Sequence, residues 1–426
     1  MTLKLVACAL AATAHFASAA LKSVCVDADA AGCLGSAGLG VANDAMCQRV
    51  IHIAGIFPMS GRLCFEGIQA AAAAQQAVDD INSVGGLINH GLLGGDTAAD
   101  EGFCLSLHAR DSRNEPGMAL HEVDSFMQFG QWNSYNHIDA VIGGLSSDVS
   151  KAVQQLLQWA SIPQISYGST TPALSNKETN PTFFRTVPSD SLLVIGVVEF
   201  LETQDWEFVT VLASDSEFGQ AGAALLRQEV ARRNTRLSVQ SIVTFNDDNL
   251  EKVMEELKYS EGRVIFLHCS VAEADDVFKI AAESDMLGAG WAWIGSEWAQ
   301  DSLFEEFEES GPALDALKAS MQGIVALRPT NFKTPVASNI GRHLNSAEAN
   351  VTYGSVLRDC ESVSKAGHIN SVAFFAYDAV LVAATAIDRA VERYGDSASS
   401  NFSAIFKELT GLEDTVISNG ATGDIK

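Results

Sequence analysis

Two clusters of hydroxyl residues, each leaving an apolar run, carry the most chemistry in this sequence. The first is Gly143-Gly144-Leu145-Ser146-Ser147-Asp148-Val149-Ser150. Paired glycines let the backbone turn tightly. Serines that follow such a turn stand at a helix start, where hydroxyls and unpaired N–H groups form a natural anion site. A plain serine N-cap accounts for the same pattern. The second cluster is Ser166-Tyr167-Gly168-Ser169-Thr170-Thr171-Pro172-Ala173-Leu174-Ser175, with three adjacent hydroxyls. Two clusters on one sheet edge suit a shared carboxylate site. Asp190, after Pro188-Ser189, can receive an ammonium group, and it equally suits the N-cap of a helix beginning near Ser191. The pattern is that of binding rather than catalysis. No GxSxG, HExxH or CxxC motif occurs, so neither a nucleophile elbow nor a zinc site is indicated. His268 stands beside Cys269, but neighbours on a strand face opposite ways. No cofactor or metal is implied.

These loops need a scaffold. The 426 residues, 47% hydrophobic and 19% charged, suit two lobes rather than one core. Strand and helix patterns alternate. Strands are expected at Val50–Phe57, Phe103–Ala109, Ala140–Ile142 and Ile162–Tyr167, with helices at Gly67–Ile81 and Ser150–Ala160. A second series follows, with strands at Phe208–Leu212, Leu237–Val243, Val264–Leu267 and Trp291–Gly295. Its helices are Leu192–Leu201, Gly219–Arg233, Leu250–Tyr259 and Glu273–Ser284. Such alternation implies two doubly wound parallel-sheet α/β lobes. Their ligands bind at the carboxyl ends of strands. The candidate loops are therefore Pro58 to Gly67, Gly143 to Ser150, Gly168 to Ser175, Asp215 to Gly219 and Ser296 to Ala299. Leu87 to Gly102, rich in Gly and Asp, reads as a long surface loop. Ser371 to Ala386 is apolar but interrupted by Asp378, and reads as a buried amphipathic helix rather than a membrane span.

The net charge of -26 repels phosphate backbones and anionic lipid headgroups. No nucleic-acid partner is expected. Lys4, an apolar run to Phe16 and Ala17-Ser18-Ala19-Ala20 read as a secretory signal peptide over residues 1–20. A cysteine-bearing lead, 21–47, follows. Export permits disulfides, and the cysteines left after the leader are odd in number: Cys25, Cys33, Cys47, Cys64, Cys104, Cys269 and Cys360. Cys269, in a strand-to-helix turn, reads as a buried free thiol. Sequons at Asn350 and Asn401 agree with export.

The stretch from Ile162 to Asn176, with Pro181-Thr182-Phe183-Phe184-Arg185-Thr186 after it, resembles the receptor-family ligand-binding region. This is the type I periplasmic-binding-protein-like, or Venus-flytrap, module. The likeness is closest to class C G-protein-coupled receptors, the GABA type B and metabotropic glutamate receptors. Natriuretic-peptide receptors and receptor guanylate cyclases share it more distantly. It runs from about Ile51 to the end and is densest from Ala140 to Gly222. The resemblance implies lobe 1 at 48–186 and 326–426 and lobe 2 at 187–325. Crossings fall near Thr186-Val187, near Ile324-Val325-Ala326, and just after Lys426. It also implies dimerisation through lobe 1, a Cys64–Cys104 disulfide, and a membrane domain in a longer protein.

Carried over residue by residue, Ser147 and Thr170 match groups that hold a ligand's α-carboxylate end. Gly168 and Ser169 add backbone contacts. Asp190 matches the ammonium binder, Phe218 an aromatic contact, and Glu297 an acid, with Phe for Tyr and Glu for Asp. Trp298 matches a ligand-contacting tryptophan of the GABA receptor. Other positions depart. The GABA receptor's histidine and acid fall at Val187 and Val372, and the glutamate receptors' distal lysine falls near Ser371. Arg62 is the one candidate for a distal-carboxylate arginine. The implied ligand is an α-amino acid, or close analogue, that is neither GABA nor glutamate. A soluble transport-type binding protein, a peptide-binding receptor and a silent partner subunit are the alternatives.

Overall fold

The structure, a computed structural model, describes residues 49–82, 103–132, 138–233, 235–296, 324–327, 333–344, 360, 369–394, 402–412 and 417–425. The leader, the lead, Glu297, Trp298, Asn350, Asn401 and the Leu87–Gly102 stretch lie outside the described residues.

The first sheet holds β1 (Arg49–Phe57), β2 (Phe103–Asp111), β3 (Ala140–Ile142), β4 (Gln164–Ser166) and β5 (Phe183–Arg185), in the order β2-β1-β3-β4-β5. All its pairings are parallel. Its first four helices in chain order are α1 (Cys64–Asn82), α2 (Pro116–Trp132), α3 (Ser147–Ala160) and, after the chain leaves this sheet, α4 (Asp190–Thr203). On one face of the sheet Ala54, Ile56 and Val141 pack against Val123 and Phe126 of α2 and Val149 and Val153 of α3. The opposite face packs α1 and, from the far end of the chain, α8 (Pro335–Leu344), α9 (Ser371–Tyr394) and α10 (Phe402–Gly411). This alternation of faces follows from the period-2 pleat of the strands.

The second sheet holds β6 (Phe208–Ser214), β7 (Ser238–Phe245), β8 (Val264–His268), β9 (Ala292–Gly295) and β10 (Val325–Ala326), in the order β10-β9-β8-β6-β7 and again parallel. One face packs on α4 and α5 (Glu217–Arg233). The other packs on α6 (Leu250–Tyr259) and α7 (Val271–Glu283). These are two sheets of parallel strands with helices on both faces, the two α/β lobes that the alternating pattern implies and the periplasmic-binding-protein-like fold that the resemblance implies. Helix α2 is absent from the sequence-based reading. Its buried residues Ala119, Val123 and Phe126 recur at helical spacing, but the apolar stripe is only three residues deep and Gly117 breaks its start.

Helix α9 is long and apolar enough to cross a membrane by length and composition, yet 83% of its most apolar window is buried. It packs along α1, and Tyr377 Oη donates to Asp80 Oδ2 at 2.9 Å. Asp378, which interrupts its apolar run, accepts from Ala421 N at 2.5 Å and from Thr422 N at 3.0 Å. It thereby pins the hairpin β11 (Ile417–Gly420) and β12 (Gly423–Ile425).

The disulfide expectation is corrected. Cys64 pairs with Cys360, 296 residues away, with Cα atoms 5.9 Å apart. Cys104 is disulfide-bonded too, but not to Cys64. Cys64 opens α1 on the face that receives the C-terminal helices, whereas Cys104 lies on the edge strand β2. The bond therefore ties the returning segment to the first lobe. Cys269 is a buried free thiol. A non-reducing peptide map is expected to yield the Cys64–Cys360 pair, and Cys360→Ser to lower unfolding free energy by about 2–5 kcal/mol in denaturant titration. A Cys64–Cys104 peptide would contradict this topology.

Candidate functional site

In the first sheet the strand order reverses between β1 and β3, and in the second between β6 and β8. Ligands of open α/β sheets bind in the crevice outside such a reversal. The loops leaving β1, β3, β4 and β5 in one sheet, and β6 in the other, carry the predicted residues that are described; Glu297 and Trp298 follow β9, outside the described residues.

After β3 the chain turns through Gly143, at φ +119. A Cβ there would lie 2.4 Å from the carbonyl oxygen of Ile56, so only glycine fits. The turn delivers the start of α3. Ser146, not Ser147, is its N-cap and accepts from Val149 N. The helix begins three residues earlier than the apolar pattern suggests, and this frees Ser147 from capping. Ser147 is 1% exposed, and its hydroxyl oxygen accepts from Thr171 N at 3.4 Å.

The loop after β4 interlocks with this turn. Ser169 Oγ donates to Ser146 O at 2.9 Å and lies 2.7 Å from Ser150 Oγ. The N–H groups of Gly168 and Ser169 donate to Ser166 Oγ, at 3.3 and 2.9 Å. Gly168 is required by close approach, since a Cβ would lie 2.7 Å from Leu145 O. Thr170 reaches forward instead. Its hydroxyl donates to Asp190 Oδ2 at 2.8 Å, and its carbonyl accepts from Asp190 N at 3.0 Å.

Asp190 is the first residue of α4, and Ser189 is the cap. The aspartate is thus released from the capping role that its position suggests. It is 1% exposed, and Oδ1 accepts no hydrogen bond among the described residues. Burial pushes its pKa up to about 6, opposed by the Thr170 hydroxyl and the charge of Arg185. Folding therefore disfavours the charged form, and ionisation between about pH 4 and 6 costs stability that a bound cation would return.

Two residues of this edge have roles that the sequence reading did not assign. Arg185, the last residue of β5, donates from Nη1 to Ser169 O at 3.1 Å and Thr171 O at 2.9 Å, and from Nη2 to Ser175 Oγ. It staples the hydroxyl loop shut. Thr171 is wholly buried, and its hydroxyl has no partner among the described residues. Arg185 is visible in the sequence only as the end of Phe183-Phe184-Arg185, and nothing local marks its targets ten to sixteen residues back.

From the second lobe, Phe218 stands in the first turn of α5. Its ring lies 4.1 Å from that of His268, centroid to centroid. His268 is fully buried beneath it, and burial holds its pKa down to about 3. His268 stacks near Phe266 of one core, while Cys269 belongs to the other. The two are divided between sheet faces, and burial lifts the thiol well above its usual range, which disfavours the reactive thiolate. Among the described residues, two lobe-1 cations reach acidic groups of the second lobe. Lys151 Nζ of α3 lies 2.5 Å from Glu217 Oε1 of α5. Arg62, after β1, is engaged by Asp247 and Asp276.

The two α/β lobes meet through loops at the carboxyl ends of their strands. The receptor family ligand binding region matches residues 69–425 of this chain, which therefore belongs to that family. The chain is similar to Glutamate receptor 3.4 of Arabidopsis thaliana, at 24% identity over 326 residues, 76% of this chain and 30% of that protein. It is similar to Taste receptor type 1 member 3 of Homo sapiens, at 27% over 262 residues, 56% of this chain and 29% of that one. It is also similar to the Extracellular calcium-sensing receptor of Sus scrofa, at 28% over 277 residues, 61% of this chain and 24% of the relative. The chain spans less than a third of the length of these three relatives.

Arg185→Met is expected to cost about 2–4 kcal/mol, because two buried carbonyls lose a charged donor. It is also expected to lift the Asp190 titration above about 6. Urea denaturation and a carboxyl-carbon NMR titration read the two effects. An unmoved titration would remove Arg185 from the site.

Proposed function

We propose that this chain is the extracellular ligand-binding module of a receptor, and that its ligand is an α-amino acid or close analogue gripped between the lobes. The observation that carries the reading is the buried Asp190 carboxylate, whose Oδ1 accepts no hydrogen bond among the described residues while Thr170 holds Oδ2. A carboxylate placed so is costly unless it meets a cation. An ammonium group supplies that cation. The hydroxyls of Ser147 and Thr171, with the start of α3, suit the adjoining carboxylate. In this reading Thr170 positions Asp190, and Gly168 and Ser169 shape the loop. Phe218 presses on the ligand from lobe 2, and Glu297 and Trp298 join it there.

A few charge-assisted hydrogen bonds, about 1.5–3 kcal/mol each, give roughly micromolar to millimolar affinity after ordering costs. A ligand that touches both lobes favours their closure by its differential affinity. Binding with closure and no chemistry is the whole activity proposed. The lobes are taken as 48–186 with 326–426 and as 187–325, preceded by a leader, glycosylated at Asn350 and Asn401, dimeric through lobe 1 and joined to a membrane domain.

A thermal-shift screen against the twenty amino acids is expected to give a saturable rise in Tm with at least one of them. Asp190→Asn, which keeps the acceptor for Thr170, is expected to fold normally and abolish that rise. Thr170→Ala is expected to weaken binding about tenfold to a hundredfold. A flat screen with folded protein would sink the ligand class. Since the ammonium needs ionised Asp190, affinity is expected to be level above pH 7 and to fall toward tenfold per unit below about pH 6. Calorimetry across pH 5–8 checks this, and a pH-independent affinity would contradict the role of Asp190.

A further inference from the structure

Arg62 occupies the loop after β1, beside the reversal of the first sheet, where a free guanidinium would be open to a carboxylate of a bound ligand. Its guanidinium is already engaged. Nη1 donates to both carboxylate oxygens of Asp247, at 3.1 and 3.2 Å. Nη2 donates to Ala272 O at 3.3 Å and to Asp276 Oδ2. Every one of these acceptors belongs to the second lobe: Asp247 follows β7, and Ala272 and Asp276 lie in α7. Both terminal nitrogens are thus filled by the opposite lobe, Nη1 by the two oxygens of Asp247 and Nη2 by Asp276 and the Ala272 carbonyl. The Lys151–Glu217 pair repeats the polarity, with the cation on lobe 1 and the anion on lobe 2.

We propose that Arg62 is a cross-lobe clasp. It closes the cleft against Asp247 and Asp276 without ligand, and it denies a ligand's side-chain carboxylate the place where an arginine would bind it. The second half rests on the amino-acid reading above and narrows the ligand class to amino acids without an acidic side chain. The first half stands without it. The guanidinium is 44% exposed, so the clasp works in screened surroundings. An exposed ion pair of this kind shifts an equilibrium by roughly two- to fivefold, and salt weakens it.

The test uses the full chain with one dye on each lobe and single-molecule energy transfer, in 50 and 500 mM NaCl. Without ligand, the closed fraction is expected to fall with salt and to fall about two- to fivefold in Arg62→Ala. The exchanged pair Arg62→Asp with Asp276→Arg is expected to restore part of it, which separates a clasp from a folding defect. In a binding panel of neutral amino acids, glutamate and aspartate, the neutral ones are expected to bind best. Arg62→Ala is expected to weaken them all by a similar factor. An unligated distance distribution indifferent to Arg62→Ala and to salt would overturn the clasp. Glutamate preferred by the natural chain, and lost selectively in Arg62→Ala, would overturn the specificity claim. A panel in which no amino acid binds would overturn the ligand reading and the specificity claim with it, while the unligated distances still decide the clasp.

Discussion

A buried carboxylate at a lobe junction organises this molecule. Asp190 exchanges two hydrogen bonds with Thr170, one from backbone to backbone and one from hydroxyl to carboxylate. The partners belong to different elements, the last loop of the first sheet and the first helix of the second. Holding that contact constrains much else. Ser189 must cap α4 so that Asp190 is free. Arg185 must gather the carbonyls of Ser169 and Thr171 so that Thr170 points forward. Ser169 must plug the turn between β3 and α3. The result is a polar edge in which, among the described residues, Asp190 Oδ1 and the Thr171 hydroxyl are left without a hydrogen-bond partner.

Much of this was legible in the sequence, and the parts that were not share a cause. The alternating strands and helices, the two hydroxyl loops and Asp190 all announce themselves through local pattern. Helix boundaries slipped by two or three residues where polar capping residues, not apolar ones, set the start, as at Ser146 and Ser189. Helix α2 went unread because its apolar stripe is short. Arg185 went unread, and Thr171 was read only as one hydroxyl of its run, because their roles depend on contacts made by folding. The disulfide inferred by likeness failed for a similar reason. Cys360 is remote in sequence, and only the return of the C-terminal helices onto α1 brings it to Cys64.

The second lobe contributes in a different manner. Its carboxylates Glu217, Asp247 and Asp276 meet lobe-1 cations across the crevice, and its aromatic Phe218 rests on a buried neutral imidazole. Lobe 1 thus holds the hydroxyl loops and Arg185, while lobe 2 supplies Asp190, an aromatic surface and counter-charges. In the proposed reading that division suits a ligand held by groups of both lobes. The chain's membership of the receptor family ligand-binding region agrees with polar loops gathered at the junction of two lobes.

The most direct measurement is a crystal structure of this chain with the amino acid that stabilises it most. The account predicts the ligand's amino nitrogen about 2.7–3.2 Å from Asp190 Oδ1, with its carboxylate against Ser147 and Thr171. Ligand density elsewhere, with Oδ1 still unpaired, would contradict it.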